Sequence, residues 1–185
     1  MLIDGKRFGG DGGTSFDDAK DLSLTVTGPN RHYCVQIELH WDRGYDKKLT
    51  SICFQYETSS NKYNRSGKHR GRDGGSVDSL DLNQDIFILK KDDHIEKIDV
   101  YVGKRQRYEW IQNTIPIITA IQFFTVKGEA SDIFGSTENA EKTTEHFPGY
   151  IFAYAKGRSG LWIDRLQFVW ISTQEKKSSD QIVFF

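Results

Sequence analysis

The chain has 185 residues, with 25 Lys and Arg against 26 Asp and Glu and a formal net charge of −1. That balance gives no bulk attraction for nucleic acid or an anionic membrane surface. Apolar residues make up 37 % of the chain and aromatics 13 %, enough for one domain with its own core. No apolar run approaches the roughly 20 residues of a membrane-spanning helix.

The start, Met1-Leu2-Ile3-Asp4-Gly5-Lys6-Arg7, lacks the apolar core of a secretory signal. It fits either a cytosolic protein or the mature form of an exported one. Phe8-Gly9-Gly10-Asp11-Gly12-Gly13 then forms a glycine-paired loop ahead of Phe16-Asp17-Asp18. Predicted strands follow at Leu22–Thr27, Tyr33–Trp41 and Thr50–Tyr56. Cys34 and Cys53 sit in these apolar runs, where a free buried thiol is the ordinary reading and a cross-strand bridge the less favoured one. Asn64-Arg65-Ser66 is a glycosylation sequon, relevant only to an exported chain.

A second glycine-paired loop, His69 to Gly75, echoes the first about sixty residues later. Further strands are predicted at Ser79–Leu82, Ile86–Lys90, Ile95–Val102 and Ile117–Thr125. In the last, Ile117, Thr119, Ile121, Phe123 and Thr125 share one face. Ile133-Phe134-Gly135-Ser136-Thr137 reads as a third, degenerate copy of the loop. Strands at Tyr150–Ala155 and Trp162–Ile171 complete the series, and no window carries a capped helical stripe. The chain is all-β, with weak threefold repetition of strand pair plus loop.

Between the last two strands lies Lys156-Gly157-Arg158-Ser159-Gly160-Leu161-Trp162-Ile163-Asp164. A glycine turn lets backbone approach a ligand, its amides donate hydrogen bonds, and a carboxylate accepts several. Donors and an ionised acceptor packed together suit adjacent hydroxyls, which means a sugar. The bland readings are an Asp164 bonded to its own turn and a Trp162 that is core.

Catalysis finds no support. His32, His40, His69, His94 and His146 show no metal-ligand spacing, and no nucleophile elbow or phosphate loop occurs. The adjacent pairs Asp17-Asp18 and Asp92-Asp93 would point to opposite faces of a strand. A glycosidase needs two carboxylates facing one sugar. No enzyme activity, metal or cofactor is expected.

Taken in order and spacing, these elements resemble the jacalin-related lectins. Gly9 to Asp18 looks like that family's glycine loop followed by Phe-Asp-Asp. Asp93-His94-Ile95-Glu96-Lys97-Ile98-Asp99-Val100 is similar to the strand before its recognition loop, and Ile121-Gln122-Phe123-Phe124-Thr125 resembles its hydrophobic-x-Phe-x-Thr strand. Gly157 to Asp164 looks like its closing turn, and Gly-Arg-Ser-Gly followed by Ile-Asp is most similar to animal zymogen-granule-type members. The resemblance implies a β-prism I fold of three antiparallel Greek-key sheets with pseudo-threefold symmetry, in a domain spanning residues 1–172. It also implies a non-catalytic lectin for terminal mannose- or glucose-type glycans. The binding residues it carries over are Gly13, Gly160, Leu161, Trp162 and Asp164.

Two departures bear on ligand choice. Gly44-Tyr45-Asp46-Lys47-Lys48 puts lysine where some plant members carry a second carboxylate, so a second site there is expected to be dead. The unbroken Asp11-Gly12-Gly13 favours the mannose/glucose class over the galactose class, whose chain is cut at that point. Lys104, Arg105 and Arg107, with Lys68, His69, Arg70 and Arg72, suggest an alternative ligand, a sulfated or anionic glycan. A protein-interaction module that has lost sugar binding is the other alternative. The tail, residues 173–185, joins a polar linker to Gln181-Ile182-Val183-Phe184-Phe185, read as an edge strand or a dimer contact. Glycans and a second copy of the chain are the expected partners, with no nucleic acid and no membrane insertion.

Overall fold

The computed structural model describes residues 1–42, 49–58, 63–65, 69, 82–108, 111–160 and 162–174. Strands run in chain order as β1 (Leu2–Gly9), β2 (Thr14–Asp17), a one-turn helix α1 (Asp18–Asp21), β3 (Tyr33–Asp42), β4 (Leu49–Glu57) and β5 (Tyr63–Arg65). They continue as β6 (Leu82–Ile88), β7 (Ile95–Tyr108), β8 (Ile111–Thr125), β9 (Phe134–Gly135), β10 (Glu141–His146), β11 (Tyr150–Ser159) and β12 (Ile163–Ser172).

These strands build three antiparallel four-stranded sheets. The first has the order β1-β12-β11-β2, the second β5-β4-β3-β6 and the third β10-β7-β8-β9. The first sheet joins the two ends of the described chain, with Leu2 opposite Ile171 and Thr14 opposite Ser159.

The core lies where the inner faces of the three sheets converge, as the period-two alternation of each strand demands. Phe54 of β4 stands 6.4 Å from Phe123 of β8 and 5.1 Å from Phe152 of β11, one ring from each sheet. Phe168 and Trp170 of β12 extend this cluster, and Ile37, Ile52, Ile98, Ile121 and Leu166 are fully buried around it. Burying each such side chain contributes about 1.5–3 kcal/mol.

Three features depart from the sequence reading. Leu22–Thr27 is not a strand. Leu22 caps α1, Ser23 takes a left-handed φ of 52°, and Thr25 closes a loop onto His32, whose amide donates to the Thr25 carbonyl at 2.7 Å. The alternation of Leu22, Leu24 and Val26 records one buried side without a partner strand. Second, β7 and β8 extend far beyond the predicted Ile95–Val102 and Ile117–Thr125, pairing as far as Tyr108 opposite Ile111. Lys104, Arg105 and Arg107 therefore belong to a strand rather than a loop. Third, β1, β2, β5, β9 and β10 were not legible as strands, β6 runs unbroken across the gap left between Leu82 and Ile86 (residues 79–81 lie outside the described ones), and β11 runs on through Lys156 to Ser159, inside the segment read as a turn.

Cys34 and Cys53 are both free and buried. Cys34 lies opposite Tyr56 and Cys53 opposite Glu38, so the register keeps the two thiols apart. Burial pushes the Cys34 thiol well above its ordinary value, which leaves it protonated and unreactive.

Candidate functional site

The β2–β11 ladder ends at Thr14 opposite Ser159, and the next residue on each side is a glycine. Gly13 has φ of 65°, and a Cβ there would stand 2.5 Å from the Gly160 nitrogen, inside the Ser159 peptide. Only glycine meets both the left-handed backbone and the close approach. The opening loop is also tied to the start of β12, where the Gly10 amide donates to the Asp164 carbonyl at 2.7 Å.

Asp164 completes the group. Its Oδ1 lies 2.5 Å from where a Cβ on Gly12 would stand, and its Oδ2 lies 2.9 Å from that position on Gly160. The carboxylate is thus held between the two glycine backbones, and the residue is only 6 % exposed. Of the predicted residues, the structure brings Gly13, Gly160 and Asp164 together. Trp162 follows in the turn and is half-buried, with its carbonyl accepting from the Gly160 amide at 2.9 Å. That bond consumes the Gly160 amide, so Gly160 contributes close approach rather than a donor. Leu161 lies outside the described residues.

Two charged groups that the sequence reading missed hold this loop. Arg158 Nε donates to the Gly12 carbonyl at 2.9 Å and its Nη2 to the Gly13 carbonyl at 2.8 Å. A planar guanidinium spans two successive carbonyls in this way, whereas an ammonium could not. Arg165 pairs with the exposed Asp11 at the loop tip. The one available signal was the arginine inside Gly-Arg-Ser-Gly, quoted for its resemblance but given no role.

A buried network supports the loop from behind. Asp17 caps α1 by accepting from the Lys20 amide at 3.3 Å. The buried Asp18 accepts from Tyr56 Oη at 2.6 Å and meets His69 Nε2 at 2.8 Å. The His69 ring stacks on Phe16, with centroids 3.5 Å apart and planes within 9°. The Asp17-Asp18 pair is therefore a loop support, and β4 and His69 are fastened to the segment behind Gly13.

Lys104 lies exposed on β7 opposite Pro116. Arg105 and Arg107 are placed on β7 by their backbone alone, and Lys68, Arg70 and Arg72 lie outside the described residues. Gly44 to Lys48 lies outside them too. Among the described residues no group of three or more His, Cys, Asp or Glu could hold a metal ion, and no helix is long and apolar enough to cross a membrane.

One serine-histidine-carboxylate set does form, unanticipated by the sequence. His40 Nδ1 lies 2.8 Å from Ser51 Oγ, and His40 Nε2 lies 3.6 Å from Glu38 Oε1, beyond hydrogen-bond range. Ser51 is wholly buried, so no substrate carbonyl reaches its hydroxyl. The set satisfies polar groups within the second sheet.

A model of the jacalin-like lectin domain matches residues 6–169. Among solved structures, artocarpin in complex with mannotriose is similar, with a TM-score of 0.69 at 20 % identity over 92 % of this chain and 98 % of that one. A mannose-binding jacalin-related lectin from Ananas comosus gives 0.67 at 15 % identity, over 92 % and 98 %. The mannose-binding lectin from Champedak gives 0.69 at 19 %, over 92 % and 97 %. At such identities the likeness is one of fold, the β-prism I arrangement of three sheets. Comparison with curated proteins gives no match. Because the domain model spans Lys6 to Val169, nearly all of the strands described above, this protein belongs to the jacalin-like lectin domain family.

Proposed function

We propose that the protein is a non-catalytic lectin that binds a terminal mannose- or glucose-type residue at the junction of the opening loop and the β11–β12 turn. The observation that carries this reading is the placement of the Asp164 carboxylate between the backbones of Gly12 and Gly160, with Gly13 wedged against Ser159. In this reading Asp164 accepts from two neighbouring hydroxyls, and the amides of Gly13, Leu161 and Trp162 donate to the same ring. Bonds to the charged acceptor are the strong ones. The mannose-binding lectins of similar fold support the choice of sugar.

The Gly157-Arg158-Ser159-Gly160 turn followed by Ile163-Asp164 favours kinship with animal zymogen-granule-type members. The lectin domain spans residues 1–172; of the tail read as an edge strand or dimer contact, residues 175–185 lie outside the described residues. Pairing two shallow sites would raise avidity without new contacts.

Calorimetric titration with methyl mannoside tests the reading. Saturable binding by the protein, weakened roughly 10- to 150-fold in Asp164→Asn while the fold is retained, is the expected result. Binding that survives the substitution unchanged overturns the assignment.

A further inference from the structure

The outer face of the first sheet holds a cavity of about 170 Å³ beside the candidate sugar pocket but outside it. Arg7, Lys156, Arg158 and Arg165 line it, with Ser15 and Gln167, and among the described residues no carboxylate does. The register places Arg158 directly opposite Arg165, and Gln167 between Arg7 and Lys156. Like charges directly opposite on adjacent strands destabilise a sheet. Four cations around one small hollow, in a chain whose net charge is −1, call for a compensating anion.

The protein supplies only part of that compensation, and from the side. Asp4 accepts from Lys156 Nζ at 3.1 Å, and Asp11 pairs with Arg165, but neither lines the cavity. Arg158 spends two donors on the Gly12 and Gly13 carbonyls and keeps the rest of its fork. Arg165 Nε is buried with no hydrogen-bond partner among the described residues. A buried donor left unmade is costly, which favours a small shift of the Arg165 side chain that brings it to a ligand oxygen in the hollow. Burial works to lower the Lys156 pKa, but the bond to Asp4 and nearby acidic groups outweigh it and raise the value, so the ammonium stays charged.

We propose that this cavity is a subsite for a tetrahedral oxyanion, the sulfate or phosphate group of an acidic ligand, gripped by Arg7, Lys156, Arg158 and Arg165 with Ser15 and Gln167 donating. Guanidinium forks match such oxygens in pairs. The subsite is distinct from Lys104 and the other basic residues singled out in the sequence. It does not depend on the neutral-sugar reading, although Arg158 links both through the Gly12-Gly13 loop.

The test titrates sodium sulfate at constant ionic strength, following arginine Nε–H resonances by NMR, with methyl mannoside titrated in parallel. Saturable shifts at Arg165 are expected, weakened at least about tenfold in the double variant Arg7→Gln/Lys156→Gln. Methyl mannoside binding should change less than about twofold in that variant, and Arg7→Lys, which keeps the charge but loses the fork, should retain only part of the sulfate affinity. No saturable shift in the unaltered protein, or equal sulfate affinity in the double variant, overturns the proposal. Sulfate binding without methyl mannoside binding overturns the neutral-sugar assignment and leaves this one standing. Mannose 6-sulfate binding more tightly than inorganic sulfate ties the anion to a glycan, whereas equal affinity assigns a free anion to the same cavity.

Discussion

The first and third sheets are built alike and end differently. In the first, β1 flanks β12, and Gly9 at the end of β1 takes a φ of 92° against the Asp164 carbonyl. In the third, β9 flanks β8, and Gly135 takes a φ of 98° against the Thr119 carbonyl. Asp164 and Thr119 are thus equivalent by position. Asp164 stands only a few residues past its hairpin turn, with its carboxylate between glycine backbones. Thr119 stands deep in a hairpin whose strands pair as far as Tyr108 and Ile111, and its hydroxyl bonds its own sheet at the Tyr101 carbonyl. The repeated backbone supplies a frame, and of these two sheets the one with the short turn carries the proposed polar site.

Alanine at the two equivalent glycines separates frame from site. Gly9→Ala and Gly135→Ala each force a Cβ into a neighbouring carbonyl at a left-handed φ. Each should cost about 2–4 kcal/mol, combining backbone strain with displaced packing. Denaturant unfolding should show similar losses for both. Methyl mannoside affinity should fall only in Gly9→Ala, and equal affinity losses would erase the proposed difference between the sheets.

Next in size is Asp164→Asn, which removes the charge while keeping the shape. Losing a charged acceptor costs about 1.5–3 kcal/mol, or roughly 10- to 150-fold in affinity. Thr119→Val, the matched change in the third sheet, should leave affinity intact and lower stability by about 1 kcal/mol through one lost hydrogen bond.

How far the sequence reaches follows from the same contrast. Ile121, Phe123, Phe152 and Phe168 declared their strands because a buried face must be apolar every second residue. Glu141-Lys142-Thr143-Thr144-Glu145-His146 did not, because β10 is an edge strand whose one well-buried inward residue is the polar Glu145. Gly13, Gly160 and Asp164 were singled out through family resemblance, and the structure brings the three together. The Arg158 clamp on Gly12 and Gly13 was not, nor was Asp18 holding Tyr56 and His69. Such long side-chain contacts join residues far apart in the chain and leave no local pattern.

Arg158→Met tests the clamp by keeping the apolar stem and removing the fork. Two bonds to loop carbonyls are lost, and stability should fall by about 1–2 kcal/mol. Methyl mannoside affinity should fall severalfold as the opening loop loses its hold, measured by calorimetry. Arg158→Lys should recover little, since one ammonium cannot span both carbonyls. Full recovery by lysine would mean that charge alone, and no clamp, acts there.

The smallest effect concerns the far end of the first sheet. Glu145 of β10 reaches under β1, accepting from the Lys6 amide and, at 2.8 Å, from Trp170 Nε1. Burial raises its carboxyl pKa above the ordinary value, opposed by those two bonds. A raised folded value means that the contribution is fully present below the unfolded pKa and is lost as pH rises through the folded one. The protein should therefore gain stability relative to Glu145→Gln as pH falls from neutral toward the ordinary glutamate range, about 4.3. Paired denaturant titrations across that window measure the difference. A gap that widens toward neutral pH would show instead that the two donors outweigh burial and hold Glu145 ionised.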